Sequence, residues 1–130
     1  MKNFKKNSNW IDYCQRLKIK YPIVINSMKK QNKYVNSYYF VDKLSQVLKT
    51  KDIIITDMGF SFTSTHQALK IKKGQTFHTH SGHAPMGWGL PAAVGAFFAK
   101  NSNKKSRVIC LTGDGGFQLN IQELATIMHH

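Results

Sequence analysis

The sequence predicts an α/β domain, a parallel sheet with helices on both faces. Three observations predict it. Two short apolar runs rich in β-branched residues, "DIIITD" (52–57) and "RVICLT" (107–112), read as buried strands. Each runs into a glycine-bearing turn, Asp57-Met58-Gly59 and Gly113-Asp114-Gly115-Gly116, with helical sequence beyond. A further strand and helix between them give strand, helix, strand, helix, strand, helix, the pattern of parallel strands joined by right-handed crossovers.

In chain order, Asn9 to Leu17 reads as a short helix. Lys18 to Asn36 is polar and irregular apart from "YPIVI", so residues 1–34 read as a linker-like segment carrying one short helix. From Tyr38 to Lys49, Phe40, Leu44, Val47 and Leu48 form one helical stripe, with Asn36 or Ser37 available as the cap. The strand at 52–57 follows and ends at Gly59. "FSFTSTHQALK" reads as a helix and "QTFHTH" as a second strand. "GHAPMGWGLPAAVGAFFAK" passes from a glycine-rich turn into a helix whose Ala92, Gly95, Ala96 and Ala99 make a small-residue face, open to close approach by another backbone. The strand at 107–112 precedes a last helix, expected from about Leu119 to His130.

Composition narrows the function classes. A chain of 130 residues, 42% hydrophobic and 12% aromatic, is that of one globular domain. No apolar run approaches the ~20 residues of a membrane span, and no apolar signal core follows the Lys-rich beginning. A cytoplasmic protein is expected, with no membrane partner. Cys14 and Cys110 lack a C-x-x-C partner and predict no disulfide; Cys110, inside "VICL", reads as a buried, inert thiol. The net charge of +13 raises nucleic-acid binding as an alternative. Against it, Arg16 and Arg107 are the only arginines among nineteen basic residues, whereas phosphate and base readout favours the Arg fork. The lysines fall in scattered pairs, Lys5-Lys6, Lys29-Lys30, Lys72-Lys73 and Lys104-Lys105, which read as a solvated surface.

Chemistry concentrates at the two turns. Backbone amides unmasked by glycine at a helix start cradle an anion such as phosphate. An aspartate beside that cradle would repel phosphate, but suits a hard divalent cation that bridges carboxylate and phosphate oxygens, as Mg²⁺ does. From the tripeptide alone, Asp114 reads equally as a cap for the last helix.

"GDGGFQLNIQELATIMHH", preceded by "GHAPMGWGLPAAVGA" and "TDMG", resembles the carboxy-terminal, diphosphate-binding domain of thiamine-diphosphate-dependent enzymes, most of all the acetolactate synthase-like branch. The resemblance covers about residues 35–130, which are thus expected to form a partial thiamine-diphosphate-binding domain, incomplete as a fold. It implies that Asp114 is a ligand of Mg²⁺ and that Gly115 and Gly116, with Gly113 before them, touch the cofactor's diphosphate. It implies that Gly59, with Phe60 and Ser61, lines the far side of the diphosphate, although acetolactate synthases usually carry Gln-His where Phe60-Ser61 stand. Met86 corresponds to the apolar wedge that holds the cofactor bent, and the carbonyl of Ala84 to the acceptor for its 4'-amino group. The implied reaction is carboligation or decarboxylation of a small 2-oxo acid, in a homodimer or tetramer. His83 is a possible substrate contact. The implied second metal ligand, an Asn further beyond G-D-G, and the glutamate of an amino-terminal domain find no counterpart here. The expectation is a fragment of a longer enzyme, inactive alone, and FAD, which some acetolactate synthases carry on a middle domain, is not legible.

A competing constellation is "HTHSGH", which sets His78, His80 and His83 in H-x-H-x-x-H spacing. Three neutral imidazoles can hold Zn²⁺, which makes a zinc hydrolase the other alternative. It resembles the metallo-β-lactamase motif, with Gly82 in place of its acid.

Overall fold

The computed structural model describes residues 8–99 and 106–130. Three strands, β1 (Ile53–Thr56), β2 (Thr76–Thr79) and β3 (Val108–Leu111), form an all-parallel sheet in the order β2-β1-β3. Ile53 of β1 stands in register with Thr76 on one side and Val108 on the other. The helices are α1 (Ser8–Lys20), α2 (Asn26–Lys29), α3 (Ser37–Val47), α4 (Phe60–Ala68), α5 (Gly89–Ala99), α6 (Asp114–Leu119) and α7 (Glu123–His129). Helix α4 connects β1 to β2 and α5 connects β2 to β3. These crossovers run in opposite directions across the sheet, so right-handedness places α4 and α5 on opposite faces. Helices α6 and α7 pack on the α5 side.

Central β1 is sealed by its neighbours: Ile54 and Ile55 are buried, with Val41 and Leu48 of the α3 region and Leu90 and Val94 of α5. Asn36 caps α3, its side chain accepting from the backbone N–H of Tyr38 (3.0 Å) and Tyr39 (3.4 Å). The buried face of α3 differs from the predicted stripe. It runs through Val41, Ser45 and Leu48, while Phe40 and Val47 are exposed. Ser45 reaches the interior because its hydroxyl is satisfied twice, donating to Val41 O (2.9 Å) and accepting from Lys70 N–H (3.0 Å). A hydrophobic periodicity passes over such a residue.

Other expectations change in detail. The first helix extends to Ser8–Lys20, and the polar tract after it holds the short α2. Strand β3 is half-buried throughout, because only β1 pairs with it among the described residues. The expected last helix starts earlier, at Asp114, and is broken at Asn120, whose φ of −134° leaves helical space before α7 resumes. The small-residue face of α5 meets no backbone at Gly95, where an added Cβ would touch nothing within 4 Å. Close approach occurs instead at Gly89, where a Cβ would lie 2.8 Å from that of Asp57. Cys14 and Cys110 are free thiols, and burial pushes the Cys110 thiol up to about 11. No helix among the described residues is long and apolar enough to cross a membrane. The Lys5-Lys6 and Lys104-Lys105 pairs lie outside the described residues.

Candidate functional site

Ligands of open parallel sheets bind beyond the carboxyl ends of adjacent strands whose following loops turn to opposite faces. Here β1 exits toward α4 and β3 toward α6, on the α5 side. Between these exits lies a cleft of about 410 Å³ lined by Met58, Gly59, Phe60, Ser61, Met86 and residues 112–116. The fold thus brings together Gly59, Ser61, Met86, Gly113, Asp114, Gly115 and Gly116 from three separate stretches of sequence. Ala84 and His83 stand outside this lining.

Asp114 is the first residue of α6 and is exposed. The helix is capped at Gly113 without a side-chain bond, so capping does not occupy the Asp114 carboxylate, which makes no hydrogen bond or ion pair among the described residues. Added Cβ atoms at Gly59 or Gly113 would meet nothing within 4 Å, so both backbones face open space. Met86 is 60% exposed, and its sulfur lies 3.8 Å from where a Cβ on Gly115 would stand. Ser61 turns its hydroxyl back onto its own turn, donating to Met58 O (2.9 Å) and Asp57 O (3.1 Å). Ala84 has a φ of +50°, a left-handed conformation uncommon for a residue with a Cβ. Its N–H donates to His80 O (2.9 Å).

The residue that organises the site is Asp57, whose role its place at the end of an apolar run did not reveal. It is 1% exposed. Its carboxylate accepts from Met58 N–H (2.9 Å), from Gly87 N–H (3.0 Å to each oxygen) and from the Thr112 hydroxyl (2.9 Å). One side chain thereby ties the "PMGWG" loop to the approach of the Gly113–Asp114 turn. Gly116 is buried against it: a Cβ there would overlap the Asp57 Oδ2 and come within 2.9 Å of the Thr112 Oγ1. Asn120 was likewise passed over. Its Nδ2 donates to Gly87 O at 2.8 Å. The signals available were a scarce acid next to a strand and an Asn interrupting a helical pattern.

The three histidines do not converge. His78 lies on β2, beside Thr79, Trp88 and Ala92. The His80 and His83 rings are 5.3 Å apart, and His80 packs edgewise on Trp88 at 5.7 Å. Among the described residues no three His, Cys, Asp or Glu side chains form a group able to hold a metal ion.

A parallel α/β domain with exposed glycine backbones and one unengaged carboxylate at its switch point is the class of domain that binds phosphorylated ligands. Residues 57–130 match the family of the thiamine pyrophosphate enzyme, C-terminal TPP binding domain, and the chain belongs to that family. It is similar to the acetolactate synthase large subunit of Cyanidium caldarium, 35% identical over 130 residues that cover 98% of the chain and 21% of that relative. It is 36% identical to a probable acetolactate synthase large subunit of Methanocaldococcus jannaschii, over 97% of the chain and 21% of that relative. With acetolactate synthase isozyme 2 large subunit of Escherichia coli it shares 40% identity over 75 residues, 58% of the chain. The chain spans about a fifth of the length of the first two relatives.

Proposed function

We propose that this chain provides the diphosphate-binding part of a thiamine-diphosphate- and Mg²⁺-dependent, acetolactate synthase-like enzyme that joins or decarboxylates small 2-oxo acids. The observation that carries the reading is the convergence of 58–61, Met86 and 112–116 on one cleft that also holds the unengaged Asp114 carboxylate. The donor set suits the group. A carboxylate oxygen is the ligand type Mg²⁺ takes, and the open backbone at Gly59 and Gly113 leaves room for a diphosphate.

Asp114 would hold Mg²⁺, with the Gly115 and Gly116 backbone against phosphate oxygens and Gly59 and Ser61 on the opposite wall. Thiamine diphosphate, when bound, supplies a nucleophilic carbon and an electron sink for decarboxylation. Met86, exposed over Gly115, would hold the cofactor's bend, and the Ala84 carbonyl would accept a hydrogen bond from the cofactor's 4'-amino group. The intact enzyme is read as a cytoplasmic homodimer or tetramer.

A thermal-shift titration tests the reading. Thiamine diphosphate should stabilise the protein only when Mg²⁺ is present. Asp114→Asn should remove the Mg²⁺ requirement together with the stabilisation. Stabilisation that survives in Asp114→Asn would sink the metal role, and stabilisation by oligonucleotide at low salt, or by Zn²⁺ alone, would favour the other chemistries.

A further inference from the structure

The Gly87 peptide is gripped from both sides. Its N–H is held by the buried Asp57 carboxylate at 3.0 Å and its carbonyl by Asn120 Nδ2 at 2.8 Å. Its φ is +91°, and a Cβ would meet that of Leu119 at 2.9 Å, so α6 also walls it in. A residue held by both its polar groups and by van der Waals contact has little freedom, and Met86 is its covalent neighbour. Asp57 binds Thr112 with the same carboxylate, and Asn120 ends the helix that Asp114 begins. Both clamps therefore reference Gly87 to the Gly113–Asp114 turn.

We propose that Asp57 and Asn120 are positioning residues: together they clamp the Gly87 peptide and so set Met86 at a fixed height above Gly115 and Asp114. This rests on the reading of Met86 and Asp114 as the two cofactor contacts that must be held in register. Neither clamp lines the cleft; each acts through Gly87. Outer partners of this kind commonly alter metal or cofactor affinity without contacting it.

The test uses two near-isosteric variants, Asp57→Asn and Asn120→Asp, in the full chain. The first replaces an acceptor oxygen by an amide; the second replaces the donor to Gly87 O by an acceptor. Arg107→Gln is the control, since it weakens the opposite end of β1, where Arg107 pairs with Asp52. The readouts are amide hydrogen exchange of Gly87 and the Met86 methyl resonance in cofactor-free protein, and the affinity for thiamine diphosphate with Mg²⁺ by calorimetry.

Each clamp variant should speed Gly87 exchange and weaken cofactor binding on the order of tenfold, the scale of one lost hydrogen bond. Arg107→Gln should lower the melting temperature and move neither readout. Unchanged Gly87 exchange in the clamp variants overturns the proposal, as does an Arg107→Gln variant that shifts both readouts as far. Should the wild-type chain bind no thiamine diphosphate with Mg²⁺, the proposed function falls, and Gly87 exchange alone then decides the clamp. Asn120 sits at a half-exposed helix break, so its variant remains testable if the Asp57 variant does not fold.

Discussion

Asp52 and Asp57 flank β1, one before its first residue and one after its last. Both are hidden from solvent, at 0% and 1% exposure, but their partners differ in kind. At the amino end Asp52 accepts from the Arg107 guanidinium through Nε (3.0 Å) and Nη2 (2.6 Å), and from Lys49 N–H (2.6 Å). At the carboxyl end Asp57 accepts from two loop amides and a hydroxyl. A buried carboxylate has to be satisfied in either case. Satisfied chiefly by a cation, it fastens two strands and holds only the adjoining turn at Lys49. Satisfied by backbone N–H groups, it dictates where those loops lie. The same residue type thus closes the fold at one end and shapes a site at the other.

The hardest blow to the second arrangement is Asp57→Ala, which leaves the N–H groups of Gly87 and Met58 without their acceptor, while the part-buried Thr112 hydroxyl keeps Gly113 O (3.2 Å). A loss of about 3 kcal/mol is expected from two unmatched donors, read as a lower urea midpoint with an unchanged slope. A smaller loss follows from Gly116→Ala, which crowds the same carboxylate: about 1–2 kcal/mol, the scale of one methyl forced into a packed site. Equal stability in Gly116→Ala would mean that Asp57 is free to move, and the contrast between the two ends would fail.

Arg107→Gln probes the amino end by pH. The hydrogen bonds from the Arg107 guanidinium hold the Asp52 carboxyl below the usual carboxylate range, against the opposing effect of burial. With a depressed folded value, the stability drawn from this pair is complete above the unfolded carboxylate value of about 4 and disappears as pH falls through the folded one. Melting curves of wild type and Arg107→Gln should differ at neutral pH and converge in acid. A gap of constant size down to pH 2 would assign the loss to packing of the Arg stem. The smallest effect on stability belongs to Asp114→Asn, within about 0.5 kcal/mol of wild type for an exposed side chain, although Mg²⁺-dependent cofactor binding should vanish.

The alternation of strands and helices was legible because β-branched runs and glycine turns are local signals. The glycine motifs pointed to the cleft for the same reason: the backbone freedom they confer is written residue by residue. Asp57 and Asn120 escaped because their meaning lies in distant partners, Gly87 and Thr112, that share neither period nor spacing with them. Ser45 escaped because a hydroxyl satisfied inside the core looks polar on paper. The break at Asn120 was invisible to periodicity, since apolar residues continue on both sides of it.

With two of its few acids buried at the two ends of β1, the chain presents water with a lopsided field. Asp12, Asp42, Asp114 and Glu123 are the remaining counterweights to nineteen basic side chains. Such a surface draws anions from beyond contact distance, over a range of about 8 Å at physiological ionic strength. Capture of a polyanionic ligand would accordingly slow as salt is added, while its escape, governed by short-range grips, would hardly notice.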